Sequence, residues 1–386
     1  MSKKKKVLIT IDWFIPGYKA GGPIQSCANL VAHLKDEFDF FVITRDTDYC
    51  EVQPYDKIKS NEWNKLSEGL QVYYFSAQQL TYKNLHEVIW SVKPDVCFIN
   101  GVYSYYFSVL SLIILKRLGL RRVVVSARGM LAGSAINVKG NKKKLFLAAI
   151  KTLRLYRHVT FHATNEGERS DILKVVGATT PVRVAPNLPK VFNSKSNANR
   201  QKVAGSLRIV SVARISPEKN LKYALDVLQQ FGKTGEVVFD IYGPLYDVHY
   251  WEECQDVIQK LPPNVVVTYK QSIASNEVAA ILKKYHVLFM PTRGENFGHI
   301  ILESLCSGCP VVISDQTPWK DLEEVEAGFA LPLEKKGNFV AALQNLLHMR
   351  QEAYNSWSDN AFKLGQQYVN DKAAVESNRK MFREVS

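Results

Sequence analysis

Four side chains have the types and spacing to hold a phosphorylated polyol: Arg214, Lys219, Glu295 and Glu303. The two glutamates sit in Arg293-Gly294-Glu295-Asn296-Phe297-Gly298-His299-Ile300-Ile301-Leu302-Glu303. The apolar run His286–Met290 before them reads as a buried strand, and Pro291 and Gly294 punctuate a loop. The pattern then predicts a helix from near Phe297 to Ser307, with Gly308 as its C-terminal cap, followed by another apolar run, Pro310–Ile313. Glu295 therefore falls in the loop at a helix N-terminus, and Glu303 two turns into the helix. A helix N-terminus behind a strand binds anions through free backbone N–H groups and the helix dipole. Carboxylates beside it offer acceptors to sugar hydroxyls. Upstream, the apolar run Arg208–Ala213 leads into Arg214-Ile215-Ser216-Pro217-Glu218-Lys219-Asn220. Pro217 suits a first helical turn, so Arg214 and Lys219 flank it. Two cations there suit a diphosphate and the charge that develops as it departs.

The elements that position these groups follow from the same apolar runs. Strand candidates in the first half are Val7–Ile11, Phe38–Thr44, Val72–Phe75, Asp95–Asn100, Arg122–Ser126, Val159–Ala163 and Val182–Ala185, with helical patterns such as Pro23–Leu34 and Tyr105–Leu118 between most of them. The alternation restarts at Leu207–Ala213, Val237–Tyr242, Val265–Tyr269, Val287–Met290 and Val311–Ser314. Helical patterns over roughly 338–366 and 371–384 finish the chain. Repeated βα alternation argues for an α/β class with two doubly wound, Rossmann-like parallel sheets. The expected division is a first domain over 1–190, a polar linker over 191–206, a second domain over 207–368 and a last helix over 369–386.

Bulk properties narrow the class. The 386 residues suffice for two full cores, and 46% hydrophobic with 23% charged residues is ordinary for a globular chain. No apolar stretch approaches the ~18–20 residues of a membrane-spanning helix. The basic start Lys3–Lys6 is followed by an apolar run that stops at Asp12, which reads as a first strand rather than a leader. Six scattered cysteines suit a reducing compartment, and the lone Cys306-x-x-Cys309 reads as packing rather than a metal site. Net charge is +13, and all of the excess lies in residues 1–190, with 28 Lys and Arg against 15 Asp and Glu. No acid occurs from Val96 to Asn165. Such a stretch suits a polyanionic partner: anionic lipid, nucleic acid or a phosphorylated substrate.

The embedded pair of glutamates resembles the E-x7-E signature of retaining nucleotide-sugar glycosyltransferases with the GT-B fold, glycosyltransferase family 4. Arg214 to Lys219 resembles the family's R-x-x-x-x-K element. This resemblance covers most of the chain and is strongest over 207–315. It implies two Rossmann-like domains facing across a cleft, with the last helix crossing back onto the first domain. It implies that Arg214 and Lys219 contact the donor diphosphate and that Glu295 binds donor-sugar hydroxyls. Glu303 would hold the ribose hydroxyls, and the backbone of Asn296, Phe297 and Gly298 would cradle sugar and phosphate. Gly243, in the turn Tyr242-Gly243-Pro244, matches a glycine turn near the nucleotide; it also reads as a plain structural turn. Ile273, in Gln271-Ser272-Ile273, occupies the place of base contact. Gly21 and Gly22, before Pro23, resemble the glycine-rich first loop that closes on the donor phosphates. Arg128, in Ala127-Arg128-Gly129-Met130, stands where many relatives carry a histidine near the donor sugar. It resembles a subset of bacterial polysaccharide glycosyltransferases with Arg-Gly-Met there. His158 and His162, on the later strand, read as core.

No cofactor and no metal are expected: the sequence is read as having no Asp-x-Asp and no cluster of carboxylates with cation-ligand character, and Arg214 and Lys219 would take the role of a cation. Residues 142–157 read as a basic amphipathic helix. Leu145, Phe146, Ala149, Leu153 and Tyr156 share one face at helical spacing, with Lys144, Lys151 and Arg154 opposite and Leu147 and Leu155 among them. That composition suits either an interfacial helix on anionic lipid or an ordinary domain helix with a solvated basic face. The resemblance favours the first, since many relatives use lipid-linked acceptors.

The implied function is transfer of a sugar from a nucleotide-sugar donor to a glycan or polyprenyl-linked acceptor in bacterial envelope polysaccharide synthesis. The setting would be cytoplasmic, on the inner face of the membrane. Alternative readings are a GT-B-related nucleotide-sugar epimerase or phosphorylase and, from another class, a basic nucleic-acid-binding protein. Against the last, the chain has no recognised nucleic-acid module and no basic–aromatic repeat.

Overall fold

Short apolar runs, buried on both faces, build two sheets in the computed structural model, which describes residues 4–132, 145–147, 150, 153–190, 200–232 and 234–385. Every residue of Val96–Asn100, Val159–Ala163, Val287–Met290 and Val311–Ser314 is buried. That is the burial expected of parallel strands covered by helices on both sides. The chain divides into two compact units, Met1–Val191 with Asp371–Ser386, and Phe192–Asn370.

The first unit contains β1 (Lys5–Thr10), β2 (Phe38–Arg45), β3 (Trp63–Ser67), β4 (Leu70–Phe75), β5 (Val96–Asn100), β6 (Val123–Ser126), β7 (Val159–Ala163) and β8 (Val182–Val184). Their order is β3-β4-β2-β1-β5-β6-β7-β8, and only β3 runs antiparallel to its neighbour. Helices α1 (Gly22–Leu34), α2 (Tyr82–Val92), α3 (Ser111–Arg117) and α4 (Glu166–Val176) connect strands. Thr81 caps α2 by accepting from the Asn84 N–H, and Asn165 caps α4 by accepting from Glu168. Caps of this kind stabilise a helix by about 1 kcal/mol. By contrast α1 begins at Gly21 with no side-chain cap.

The second unit holds β9 (Ser206–Val212), α5 (Leu221–Leu228), β10 (Glu236–Tyr242), α6 (Val248–Ile258), β11 (Val265–Tyr269), α7 (Val278–Leu282), β12 (Val287–Met290), α8 (His299–Cys306), β13 (Val311–Ser314), β14 (Gly328–Leu331), α9 (Lys336–His348) and α10 (Gln351–Val369). Its order, β11-β10-β9-β12-β13-β14, is parallel throughout. The connections run one way from β9 and the other way from β12. The carboxyl ends of β9 and β12 therefore flank a topological switch point, where open α/β sheets bind ligands. In the first sheet, β1 and β5 flank the equivalent point.

Helix α11 (Lys372–Arg383) belongs to the first unit. Its Met381 and Phe382 share a core with Phe38, Phe40 and Phe98, and Phe382 lies 5.6–6.0 Å from those three rings. Arg379 reaches Glu37 with Nε at 2.7 and 2.9 Å from the two carboxylate oxygens.

Three features depart from the sequence expectation. Strands β3 and β14 were not expected. Trp63–Ser67 is a half-exposed, mostly polar edge strand, and β14 opens on a glycine, so neither carries a strong β signal. The helical stretch over 338–366 is two helices, broken where Met349 turns extended with ψ 132°. In the stretch read as a linker, residues 191–199 lie outside the described residues, but the chain is docked from Arg200 onward. Arg200 and Lys202 are each 3% exposed. Arg200 donates to the carbonyls of Ser307 and Gly308 at the end of α8, and Lys202 to those of Leu347 and Met349 at the end of α9. Cations suit those electronegative ends.

Gly243, just past β10, has φ +146°, and a Cβ there would fall 1.9 Å from the Ala213 carbonyl oxygen. The glycine is therefore required by backbone meeting backbone between the ends of β9 and β10. Gly243→Ala should destabilise the second unit by about 2–4 kcal/mol; an unchanged urea midpoint would refute this.

Two buried histidines, one in each unit, give the fold an acid limit. His162 donates from Nε2 to the Ala185 carbonyl and accepts at Nδ1 from Ser126. His286 donates from Nε2 to the Gln201 carbonyl and accepts at Nδ1 from the Arg208 N–H. Burial pushes both from the ordinary 6.5 down to about 4. Below pH 6.5 the unfolded chain binds protons that the folded chain refuses. Stability is then full above that value and falls as pH drops toward 4, on the order of 3 kcal/mol per histidine. Urea midpoints at pH 7.5, 6 and 5 should decline in that order, and a flat series would refute the assignment.

Candidate functional site: three loops at the switch point of the second sheet

Beyond β9 the chain forms one tight turn, Pro217–Lys219, and Asn220 in a left-handed conformation then starts α5. The loop after β12 is tied to that turn. The Arg293 N–H and the Thr292 hydroxyl both donate to the Glu218 carbonyl, at 2.9 and 3.1 Å. The Asn220 side chain donates to the Pro291 carbonyl at 2.9 Å. This stitching brings Lys219 against Glu295, where Lys219 Nζ and a Glu295 carboxylate oxygen form an ion pair. A third loop, after β13, joins them: the Glu295 N–H donates to the Gln316 carbonyl at 3.0 Å, and Ser314 donates to the Thr292 carbonyl.

Helix α8 starts at His299, two residues later than the sequence pattern implies. Its N-cap is Gly298 at φ +74°, with no side-chain cap. The left-handed conformation at Gly298 favours glycine and lets the preceding backbone arrive at the helix end. Among the described residues, no protein acceptor takes the N–H groups of Asn296, Phe297 and Gly298. Three successive unused donors at a helix N-terminus make an anion cradle. The Phe297 carbonyl, by contrast, is occupied by the Trp319 indole N–H, and the Phe297 ring packs against Trp319 and His299. Glu303, in the second turn of α8, is 6% exposed.

The other expected donor residues lie at the same edge. Arg214 sets its guanidinium 5.2 Å over the Tyr246 ring. Ile273 is half-buried against the core formed by β12, β13 and α8. Gly243 donates to the Gln271 carbonyl, and the backbone packing described above accounts for a glycine at this turn. Thr292, Gln316, Trp319 and Asn220 shape the site without having been singled out from sequence. Their signal is positional, since each follows the carboxyl end of a strand.

In the first unit, a Cβ at Gly21 or Gly22 would meet nothing within 4 Å, so the entry to α1 is open. The loop before it is held by Asp48, whose carboxylate accepts from the Tyr18 and Lys19 N–H groups at 2.9 and 3.2 Å. Asp46-Thr47-Asp48 has the Asp-x-Asp spacing, a match that the sequence reading passed over. Asp46 accepts from Ser60 at 2.7 Å, so both carboxylates carry structural bonds. Among the described residues no group of three or more His, Cys, Asp or Glu could hold a metal ion. Cys306 and Cys309 are buried free thiols. Arg128, at the end of β6, has φ +52° and is held by the side chains of Asn100 and Asn187. His162 is core, whereas His158 is exposed at φ +68°.

The basic segment differs from the helix read from sequence. Lys144 and Lys151 lie outside the described residues. Residues 145–147 and 150 are helical, but Arg154 has φ +49° and residues 153–158 form turns. The helical register therefore fails before Leu155, which is 6% exposed rather than lipid-facing, and Leu147 is half-buried against the core. The exposed large apolar side chains among the described residues of this segment are Leu145 at 74% and Leu153 at 58%, and Arg154 and Arg157, close to Leu153 in sequence, are exposed as well. No helix among the described residues is long and apolar enough to cross a membrane.

Comparison with known proteins meets this geometry. Residues 193–364 match the family model of glycosyl transferases group 1. The chain is 21% identical over 178 residues to the UDP-N-acetylglucosamine–peptide N-acetylglucosaminyltransferase GtfA subunit of Streptococcus agalactiae, covering 42% of this chain and 33% of that protein. It is 22% identical over 206 residues to an uncharacterized 41.2 kDa protein in the cps region of Klebsiella pneumoniae, covering 52% of this chain and 54% of that one. The matches thus span between a third and about half of the length of these curated relatives. The structure of Anabaena HepE in complex with UDP and glucose superimposes with a TM-score of 0.70 at 16% identity, over 99% of both chains. The family model falls on the unit that carries the stitched loops, and the fold match spans the whole chain. The group 1 glycosyl transferase match thus covers less than half of the chain and falls on its second unit, while the chain as a whole has the GT-B fold.

Proposed function

We propose that the chain transfers a sugar, with retention, from a nucleotide-sugar to a glycan or polyprenyl-linked acceptor in bacterial envelope polysaccharide synthesis. The observation that carries this reading is the cradle of unused N–H groups at Asn296–Gly298, flanked by the Lys219–Glu295 pair and by buried Glu303. Arg214 and Lys219 would hold the donor diphosphate and offset its charge as the glycosidic bond breaks. Glu295 would accept from sugar hydroxyls and Glu303 from the ribose diol. The acceptor hydroxyl would attack on the face that the diphosphate leaves, with a leaving-group oxygen taking its proton. Retention then needs no protein nucleophile. In support, HepE binds UDP and glucose on the same fold, and a partial relative is encoded in a cps region.

The donor reading is tested by thermal shift with UDP-, GDP-, ADP- and CMP-sugars. One base should stabilise the protein, since a ligand bound only by the folded state raises its stability. Glu303→Ala should then weaken that nucleotide by about 10- to 100-fold, the equivalent of one hydrogen bond to a charged group. Unchanged affinity would remove Glu303 from the ribose role.

A peripheral setting on an anionic membrane is the second part of the reading. It rests on exposed Leu145 and Leu153, with Arg154 and Arg157 exposed close to Leu153 in sequence. Aliphatic side chains amid cations enter the lipid interface while the charges meet the headgroups. Leu145→Glu with Leu153→Glu should lower sedimentation with phosphatidylglycerol vesicles and leave nucleotide affinity intact. Equal sedimentation would exclude this face.

A further inference from the structure

The site around Arg128 contains a cation whose direct side-chain partners are neutral. The residue is half-buried, and its guanidinium lies desolvated near the Cys27 thiol and over the Phe98 ring, 5.9 Å away. Nε donates to Asn100 Oδ1 at 2.7 Å and Nη1 to Asn187 Oδ1 at 2.5 Å. Both acceptors are neutral amides. Among the described residues, no carboxylate oxygen comes within ion-pair distance of it. Nη2 has no partner among the described residues, yet it is not one of the sealed, unpartnered polar atoms. It is the end that remains open.

Among the neighbouring titratable groups only Glu168 supplies negative charge, and it does so from beyond ion-pair distance. Burial pushes the Cys27 thiol up to about 12, so it stays protonated. His162 is neutral, as described above. Glu168, the nearest carboxylate, is already saturated: it accepts from the Gly129 N–H at 2.6 Å and from the Thr164 N–H and hydroxyl at 2.7 Å each. Those bonds hold the loop that carries Arg128 and turn the carboxylate oxygens to other donors, so the guanidinium has no carboxylate in direct contact. A desolvated charge is costly unless it is paired. Arg128 also lies beyond β6, next to the β1–β5 switch point of the first sheet, on the edge where such sheets take ligands.

We propose that Arg128 is the receptor for an acidic group of the substrate, a phosphate or a carboxylate, held by Nη2 and its neighbouring N–H donors. The planar guanidinium presents paired donors that match either group. The group has two sources: a uronate carboxylate on the donor sugar, or a phosphate on the acceptor. This rests on the glycosyl-transfer reading and narrows it to a negatively charged substrate. Glu168, Asn100 and Asn187 are then positioning residues, setting the arginine without cancelling its charge.

The test is calorimetric titration of the full chain with matched pairs. One pair is the neutral and uronate forms of the nucleotide-sugar whose base the thermal screen identifies. The other is a polyprenol and its phosphate in detergent micelles, with inorganic phosphate as a third arm. The protein should prefer the charged member of one pair by about 10- to 100-fold, and the pair showing it names the source. Arg128→Gln should abolish that preference. Asn100→Asp, which places a carboxylate against Nε and keeps the arginine, should abolish it too, and this variant decides the matter if the first fails to fold. No preference on any arm, or a preference surviving in both variants, would overturn the proposal. Nucleotide stabilisation with no anion preference would sink this inference alone. Absence of any nucleotide response would sink the transferase reading, while the polyprenyl and phosphate arms would still decide the fate of Arg128.

Discussion

All but one of the strand pairings are parallel, and the chemistry depends on that constraint. Parallel strands place every strand-to-helix loop on one edge of a sheet. In the second unit, connections leave β9 and β12 in opposite directions, so their loops have no helix packed between them. Two segments about 75 residues apart in sequence meet there, and the Lys219–Glu295 pair is the consequence. The hydrogen bonds from Thr292, Arg293 and Asn220 make the meeting rigid. Without them, two flexible side chains on a half-exposed surface would gain little from their Coulomb attraction.

A division of labour runs through the helix starts. Thr81, Asn165 and Asp247 spend a side chain on the first turns of α2, α4 and α6. At α1 and α8 the cap is a glycine, which has no side chain to offer the first N–H groups. A helix end left uncapped costs stability unless solvent or ligand satisfies it. The two glycine-capped helices are the ones that follow β1 and β12, each a switch-point strand. The fold thus accepts a local loss at positions where ligand can recover it.

Much of this was legible in sequence, for identifiable reasons. Buried parallel strands are continuous apolar runs, so β5, β7, β12 and β13 announce themselves, and the Gly-Glu-Asn-Phe-Gly loop marks the end of one of them. β3 was hidden because an edge strand with one solvated face needs no apolar run, and β14 because it opens on a glycine fitted against Val311. Leu155 and Leu153 exchanged places because helical periodicity was extended through Arg154, where the backbone turns left-handed. The tertiary partners of Arg128 come from 28 and 59 residues away in sequence. No local pattern encodes that a cation will be left without a carboxylate in direct contact. Asp48, which holds the loop before α1, was equally invisible as a structural residue, because Asp-x-Asp spacing is silent about which backbone amides will occupy the carboxylates.

Helix α11 makes the first unit discontinuous. Phe38, Phe40 and Phe98 receive Phe382 and Met381 only after the whole second unit, Phe192–Asn370, has been synthesised. During translation the second unit can close on itself, whereas the first must wait with an aromatic face uncovered. The second unit is, in effect, an insertion whose completion precedes that of its host. A chain ending short of Asp371 would hold one complete half and one half with an uncovered aromatic face.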